Sequence, residues 1–225
     1  AAVMPAVMEQ VPGLFITSRG VTGYGVSGRA AGSISLRVFG AGNGRLLTPI
    51  DGHPQLESIY GHPVADEYLS VGVQRVEVCR GAASMLYGSN AMGGAINIIT
   101  AKPEREGNTA QFKLLGGSYG TWRASLGDSF RKGRLSLSAN LSADHTDGHR
   151  ANSAFTSFGG VFTASYAIAD ALSLSSRLSI SDANSENPGT VSKPKLEGSA
   201  HTIRGMAGIS LDNNMENASG TIDLY

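Results

Sequence analysis

The sequence predicts an α+β domain followed by antiparallel strands of a transmembrane β-barrel, too few to close it. Three observations carry that reading. The pattern changes near Lys102-Pro103-Glu104-Arg105-Glu106-Gly107, apolar and polar residues alternate strictly after it, and the later connections alternate between short and long. Composition agrees. The 225 residues include 30 Gly and only 16% charged side chains, with 18 basic groups balancing 18 acidic ones. A glycine-rich, charge-poor chain suits strands that are half apolar and half small and polar. The balanced charge offers no basic surface for nucleic acid.

Before the change of pattern the segments are short and mixed. Ile34 to Phe39, Arg45 to Ile50, Gln74 to Arg80 and Ala95 to Thr100 read as strands, with a short helix expected around Glu67 to Ser70. Asp51-Gly52 after an apolar run is a turn signal. Gly88, Gly93 and Gly94 are expected to supply positive φ or close backbone approach. Glu77 and Arg80 stand three apart, so on a strand they point to opposite faces and are not expected to pair. The single cysteine, Cys79, excludes an intrachain disulfide and a multi-cysteine zinc site, and its place in an apolar run predicts a packing role. No run approaches the ~20 apolar residues of a membrane helix, but a barrel crosses with short strands instead. Ala1 to Met8 is apolar, holds Pro5 and lacks a basic leader, so it does not read as a signal peptide.

After the change the period of two is long and clear. In Arg134 to Asp144, Leu135, Leu137, Ala139, Leu141 and Ala143 oppose Ser136, Ser138, Asn140 and Ser142. In Ala171 to Asp182, Leu172, Leu174, Leu178 and Ile180 oppose Ser173, Ser175, Arg177, Ser179 and Ser181. The theme continues through Phe158 to Tyr166, Ile203 to Leu211 and Ala218 to Leu224. Thr109 to Gly116 and Thr121 to Phe130 are less regular, which brings the strands to seven. The connections at residues 131–133, 168–170 and 212–217 are short, and those at 144–153 and 182–199 are long. Membrane barrels sort their turns this way. A soluble β-sandwich also alternates faces, but nothing in it would sort loops by length.

One ordered stretch adds a family. Ile50-Asp51-Gly52-His53-Pro54, then Val76-Glu77-Val78-Cys79-Arg80-Gly81-Ala82-Ala83-Ser84-Met85-Leu86-Tyr87-Gly88-Ser89-Asn90-Ala91-Met92-Gly93-Gly94-Ala95-Ile96-Asn97-Ile98-Ile99-Thr100, resembles the plug signature of TonB-dependent receptors. Val11-Pro12-Gly13 is similar to the family's early plug turn, and the resemblance is dense from Val11 to Thr100. Three positions depart from the pattern: Val38 stands after Arg37 in place of Gly, Ala82 after Gly81 in place of Pro, and Pro49 among aliphatics in a strand, where it removes a ladder donor.

The resemblance implies an α+β plug domain followed by antiparallel transmembrane β-barrel strands (an incomplete barrel). The plug would cover 1–107 without its N-terminal part, and the first seven barrel strands would cover 108–225 without the C-terminal ones. It further implies an outer-membrane receptor of a Gram-negative bacterium that takes up a scarce nutrient, with ferric siderophore the leading cargo and cobalamin, haem or glycans open. Energy would come from a TonB-type complex acting on a segment that this chain does not contain. Outer-membrane lipid is the other implied partner; no cofactor, enzyme activity or nucleic acid is expected. Leu56 to His62 follows the Asp51-Gly52 turn, where the family's plug forms an outward apex. Ser58, Ile59, Tyr60 and His62 are therefore the candidate ligand contacts. Arg37, Asp51, Glu77 and Arg80 are the candidate plug–barrel contacts.

Other signals are set aside. Gly88 to Gly94 is not a dinucleotide loop, because the β-like Ile96-Asn97-Ile98-Ile99 follows it where a helix is required. Asp144-His145-Thr146-Asp147-Gly148-His149 has metal-like residue types, but as an outer loop it reads as solvated turn residues, and no metal site is assigned. The glycosylation sequons at Asn140 and Asn217 fall in proposed membrane strands. The alternative to transport is a binding module that uses the plug fold alone.

Overall fold

The computed structural model describes residues 10–16, 34–36, 39–40, 46–54, 71–88, 91–103 and 105–225. In chain order the elements are β1 (Leu14–Ile16), β2 (Ile34–Leu36), β3 (Phe39–Gly40), β4 (Leu46–Leu47), β5 (Val73–Arg80), α1 (Ser84–Tyr87) and β6 (Gly94–Thr100). There follow β7 (Gly107–Gly116), β8 (Trp122–Lys132), β9 (Leu135–Thr146), β10 (Phe155–Ala169), β11 (Leu172–Glu186), β12 (Ser199–Met215) and β13 (Ala218–Leu224). The helix expected around Glu67 to Ser70 lies outside the described residues.

The first six strands make two small sheets. One runs β1-β2-β3, and the other has β6 at its centre, parallel to β4 and antiparallel to β5. On β5 the alternation works as expected: Val76 and Val78 turn inward while Gln74, Arg75 and Glu77 stay exposed. Strand β6 is covered on both faces, which is why Gly94 to Thr100 reads as a nearly continuous apolar run. Ile96 and Ile98 join Leu14, Ile34, Leu36 and Leu46 in one core. Ala95 points the other way, to Leu47, Ala83 and Ala91, and Cys79 packs against that second cluster as a small apolar side chain.

Pro49 interrupts the ladder. Its carbonyl accepts from Ile98 N–H at 2.9 Å, and the nitrogen of the same residue faces the same way, toward β6, so the parallel pairing breaks between Leu47 and the Ile50–Ile98 bridge. Among the described glycines of the first domain, Gly94 is the one whose Cβ would meet backbone. Its φ is +145°, and a Cβ there would stand 2.6 Å from the Cys79 carbonyl oxygen and 2.8 Å from Leu36. Gly94→Ala should therefore destabilise the first domain by about 1–3 kcal/mol, read as a lower denaturant midpoint. Gly88→Ala, with nothing within 4 Å of its Cβ, isolates the φ effect alone.

The seven later strands form one antiparallel meander in the order β7 to β13. Two-residue turns at 133–134, 170–171 and 216–217 join β8 to β9, β10 to β11 and β12 to β13. On the opposite rim the connections span 117–121, 147–154 and 187–198. Cross-strand register keeps one face apolar: Leu126 pairs with Leu141, Phe162 with Leu178, and Leu174 with Leu211. The other face carries Ser138 against Thr163, Ser165 against Ser175, and Ser175 against Ser210. Strands β11 and β12 run further toward the long-loop rim than their apolar pattern alone predicts, to Glu186 and from Ser199. Backbone pairing there continues past the point where the outward side chains turn polar. The sheet remains open, with β7 and β13 as its edges among the described residues.

Candidate functional site: the turn that meets the wall

The Asp51-Gly52 turn is where the small domain touches the large sheet. Ile50 and His53 exchange both backbone hydrogen bonds, at 3.0 and 2.9 Å, around Asp51 at φ +51° and Gly52 at φ +84°. Positive φ at both central residues is the type I′ turn that Asp-Gly favours. The turn is anchored from below: Asp51 N–H donates to Ile98 O at 2.9 Å, and Gly52 N–H donates to Asn97 Oδ1 at 3.0 Å. Asn97 also donates to Glu77 at 3.3 Å, so a buried amide ties β5, β6 and the turn together.

The Asp51 carboxylate gathers three donors. Thr100 supplies its N–H to Oδ1 at 2.8 Å and its hydroxyl to Oδ2 at 2.6 Å. Oδ2 also takes Nη1 of Arg177, which reaches across from β11. The Arg177 side chain is 11% exposed and Asp51 26%, so the pair is largely shielded from water. Two residues on, His53 Nε2 stands 3.1 Å from Asp223 of β13, and its ring meets Tyr225 edge-on at 5.1 Å. One turn thus holds two barrel strands. Between the turn and the sheet lies a cavity of about 650 Å³ lined by Ser136, Thr163, Ser165, Ser173 and Ser175, so the small polar face looks onto the first domain. Further up that face Arg123 pairs with Asp144, which is 1% exposed.

The long-loop rim is tied by its own bonds. Arg150 donates to the carbonyls of Pro188, Gly189 and Thr190 at 3.2–3.4 Å, and Asn152 donates to those of Asn187 and Gly198 at 2.9 and 3.2 Å. Loops 147–154 and 187–198 are therefore bonded into one wall. The metal-like run beside them does not converge. Asp144 points inward to Arg123, His145 points outward to Thr156 and Asp147, and His149 meets Tyr119 edge-on. Adjacent strand residues face opposite ways, which separates such a run.

Among the residues expected from sequence, Asp51 lies against Arg177 as described. Glu77 is engaged inside its own domain, by Arg75 at 2.9 Å and by Asn97. Arg80 is exposed at the end of β5. Arg37, Ser58, Ile59, Tyr60 and His62 lie outside the described residues. Sequence reasoning missed Arg177, Asp223 and Tyr225 as partners. A signal was present for the first: Arg177 is the one charged side chain between Leu172 and Ser181.

Comparison with known proteins fits this arrangement of a small domain on the polar face of a barrel sheet. Residues 3–95 match the family model described as the TonB-dependent Receptor Plug Domain. The first domain is thus similar to the plug of TonB-dependent receptors. The vitamin B12 transporter BtuB of Vibrio cholerae serotype O1 is 32% identical over 115 residues, 51% of this chain and 18% of that transporter. The pyoverdine outer membrane receptor FpvA of Pseudomonas aeruginosa PAO1, bound to pyoverdine, superposes with a TM-score of 0.77 at 17% identity. It is matched over 96% of this chain and 33% of its own. The alcaligin receptor FauA of Bordetella pertussis gives a TM-score of 0.70 at 19% identity, over 95% of this chain and 33% of that one. The chain thus spans about a third or less of the relatives it matches. The fold is that of the plug with antiparallel barrel strands.

Proposed function

We propose that the receptor to which this chain belongs imports a scarce nutrient across the outer membrane, driven by a TonB-type energy-transducing complex. The plug occupies residues 1–107 and the barrel begins at 108, a boundary supported by the end of β6 at Thr100 and the start of β7 at Gly107. The observation that carries this reading is the Asp51–Arg177 contact, which seats the plug on the serine-lined inner face of the strands. A plug held by a few shielded polar contacts is fixed at rest, yet it can be released without dismantling a hydrophobic interface. A binding module that used the plug fold alone would have no need of seven strands built around it. No catalytic step is assigned.

Ferric siderophore is the proposed cargo, in line with the fold shared with the pyoverdine and alcaligin receptors. Cobalamin is the second reading, favoured by the 32% identity to a vitamin B12 transporter. Uptake of iron-labelled siderophore and of labelled cobalamin by cells carrying the full-length receptor separates the two. Uptake of neither, or uptake independent of the energy-transducing complex, overturns the proposal. Ser58, Ile59, Tyr60 and His62 are proposed as the plug's cargo contacts, with Tyr60 stacking and His62 hydrogen-bonding. Tyr60→Ala and His62→Ala should each weaken cargo binding by about tenfold, the scale of one lost stacking or hydrogen-bonding contact. Unchanged affinity in a titration of both variants would remove them from the site.

A further inference from the structure

The apolar face of the sheet carries two acidic side chains: Asp182, paired with His201 toward the long-loop rim, and Asp128 toward the short-turn rim. Asp128 lies on β8 between Leu126 and Phe130, paired across the strands with Ala110 and Ala139. It is exposed, and among the described residues it has no hydrogen-bond or ion-pair partner. The two flanking alanines leave a notch around the carboxylate. From that notch a groove of about 750 Å³ crosses the sheet. Small side chains, Ala139, Ala164 and Ala207, form its floor, and Phe162, Leu178 and Leu224 form its walls.

The register shows which way the groove runs. Phe130 is in one cross-strand row with Leu137, Ala164, Ser176, Ile209 and Leu224. Phe130 almost adjoins the 133–134 turn, whereas Leu224 ends β13, far from the 216–217 turn. Short turns mark the periplasmic boundary, so the row starts near that boundary at β8 and climbs into the membrane toward β13. Crossing from β8 to β13 takes about 24 Å at ordinary strand spacing, the scale of an extended acyl chain.

From these placements we infer that the barrel's outer face holds a specific phospholipid of the periplasmic leaflet, one with a primary ammonium head group. The ammonium pairs with Asp128 at the membrane boundary, and one acyl chain lies in the small-floored groove. A carboxylate in this position repels anionic heads and gains a charge-assisted hydrogen bond from an ammonium. An intramembrane ionisable group left bare would only cost free energy. The groove's narrow apolar course favours a lipid chain over a cationic protein segment, whose backbone polar groups would find no partners there. The inference rests on the barrel reading proposed above, which heat-modifiable gel migration of the full-length receptor checks separately.

The test is lipid retention by the full-length receptor in nanodiscs of equal phosphatidylethanolamine and phosphatidylglycerol with identical acyl chains. After mild delipidation, native mass spectrometry of the wild type should show phosphatidylethanolamine retained over phosphatidylglycerol by about fivefold. Asp128→Asn should bring that ratio close to one with barrel migration unchanged. Ala164→Phe, which fills the groove floor and keeps the carboxylate, should lower the total lipid retained. Equal retention of both lipids by the wild type, a ratio indifferent to Asp128→Asn, or retention unaffected by Ala164→Phe would each overturn the inference.

Discussion

Leu178→Arg in the full-length receptor costs about 2–4 kcal/mol, while Ser179→Arg costs far less. The two positions are neighbours on β11, so secondary-structure propensity and strand position barely distinguish them. They differ in what they face. Leu178 is 52% exposed on the apolar side, opposite Phe162 and Ala207, within the band that hydrocarbon covers. Ser179 belongs to the polar side with Ser175 and Arg177, opposite Val161 and Met206 and away from the hydrocarbon. Leu174→Arg falls in between, because Leu174 lies near the 170–171 turn and its guanidinium can reach the interface. Urea-induced unfolding in lipid vesicles measures all three. Equal losses for Leu178→Arg and Ser179→Arg would reverse or abolish the assigned faces.

The second large effect belongs to the plug's seat. Arg177→Ala leaves the Asp51 carboxylate with its two Thr100 bonds but without a counter-charge. Asp51→Ala is the harsher change, since it strands a guanidinium that is 11% exposed and also releases Thr100. Removing one partner of a shielded pair costs about 3–5 kcal/mol, and the partial exposure of Asp51 places Arg177→Ala at the low end. In a double-mutant cycle the pair should show a coupling of about 1–3 kcal/mol. Exchange of the Thr100 amide gives a local readout: it should accelerate strongly in Asp51→Ala and much less in Arg177→Ala. Strictly additive single-variant effects would mean that the contact does not hold the plug.

Much of this architecture is local and therefore readable from the chain. Opposite-facing side chains follow from the strand's period of two, so Leu172, Leu174, Leu178 and Ile180 against Ser173, Ser175 and Ser179 announce a two-faced sheet without any tertiary knowledge. Turn chemistry is local as well: Asp51-Gly52 takes up positive φ at both residues because few other pairs tolerate it. Loop lengths follow from where the alternation stops. The dense run from Val76 to Thr100 resembled the plug family because its glycines and alanines are tied to close approaches, as Gly94 is to Cys79 and Leu36.

What depended on tertiary structure is pairing across distance. Asp51 and Arg177 lie 126 residues apart, and nothing in either neighbourhood names the other. Only the curl of the sheet over the plug brings β11 and β13 to one turn. Glu77 shows the same limit from the other side: its carboxylate went to Arg75 and Asn97, partners two and twenty residues away, because β5 and β6 are adjacent. Helix α1 was illegible for a related reason. Its four residues have no side-chain cap and no buried face, so neither the apolar period nor a capping signal marks it. Backbone geometry dictates faces and turns one residue at a time, whereas the partner of a charge is chosen by whichever distant strand the closed packing carries to it.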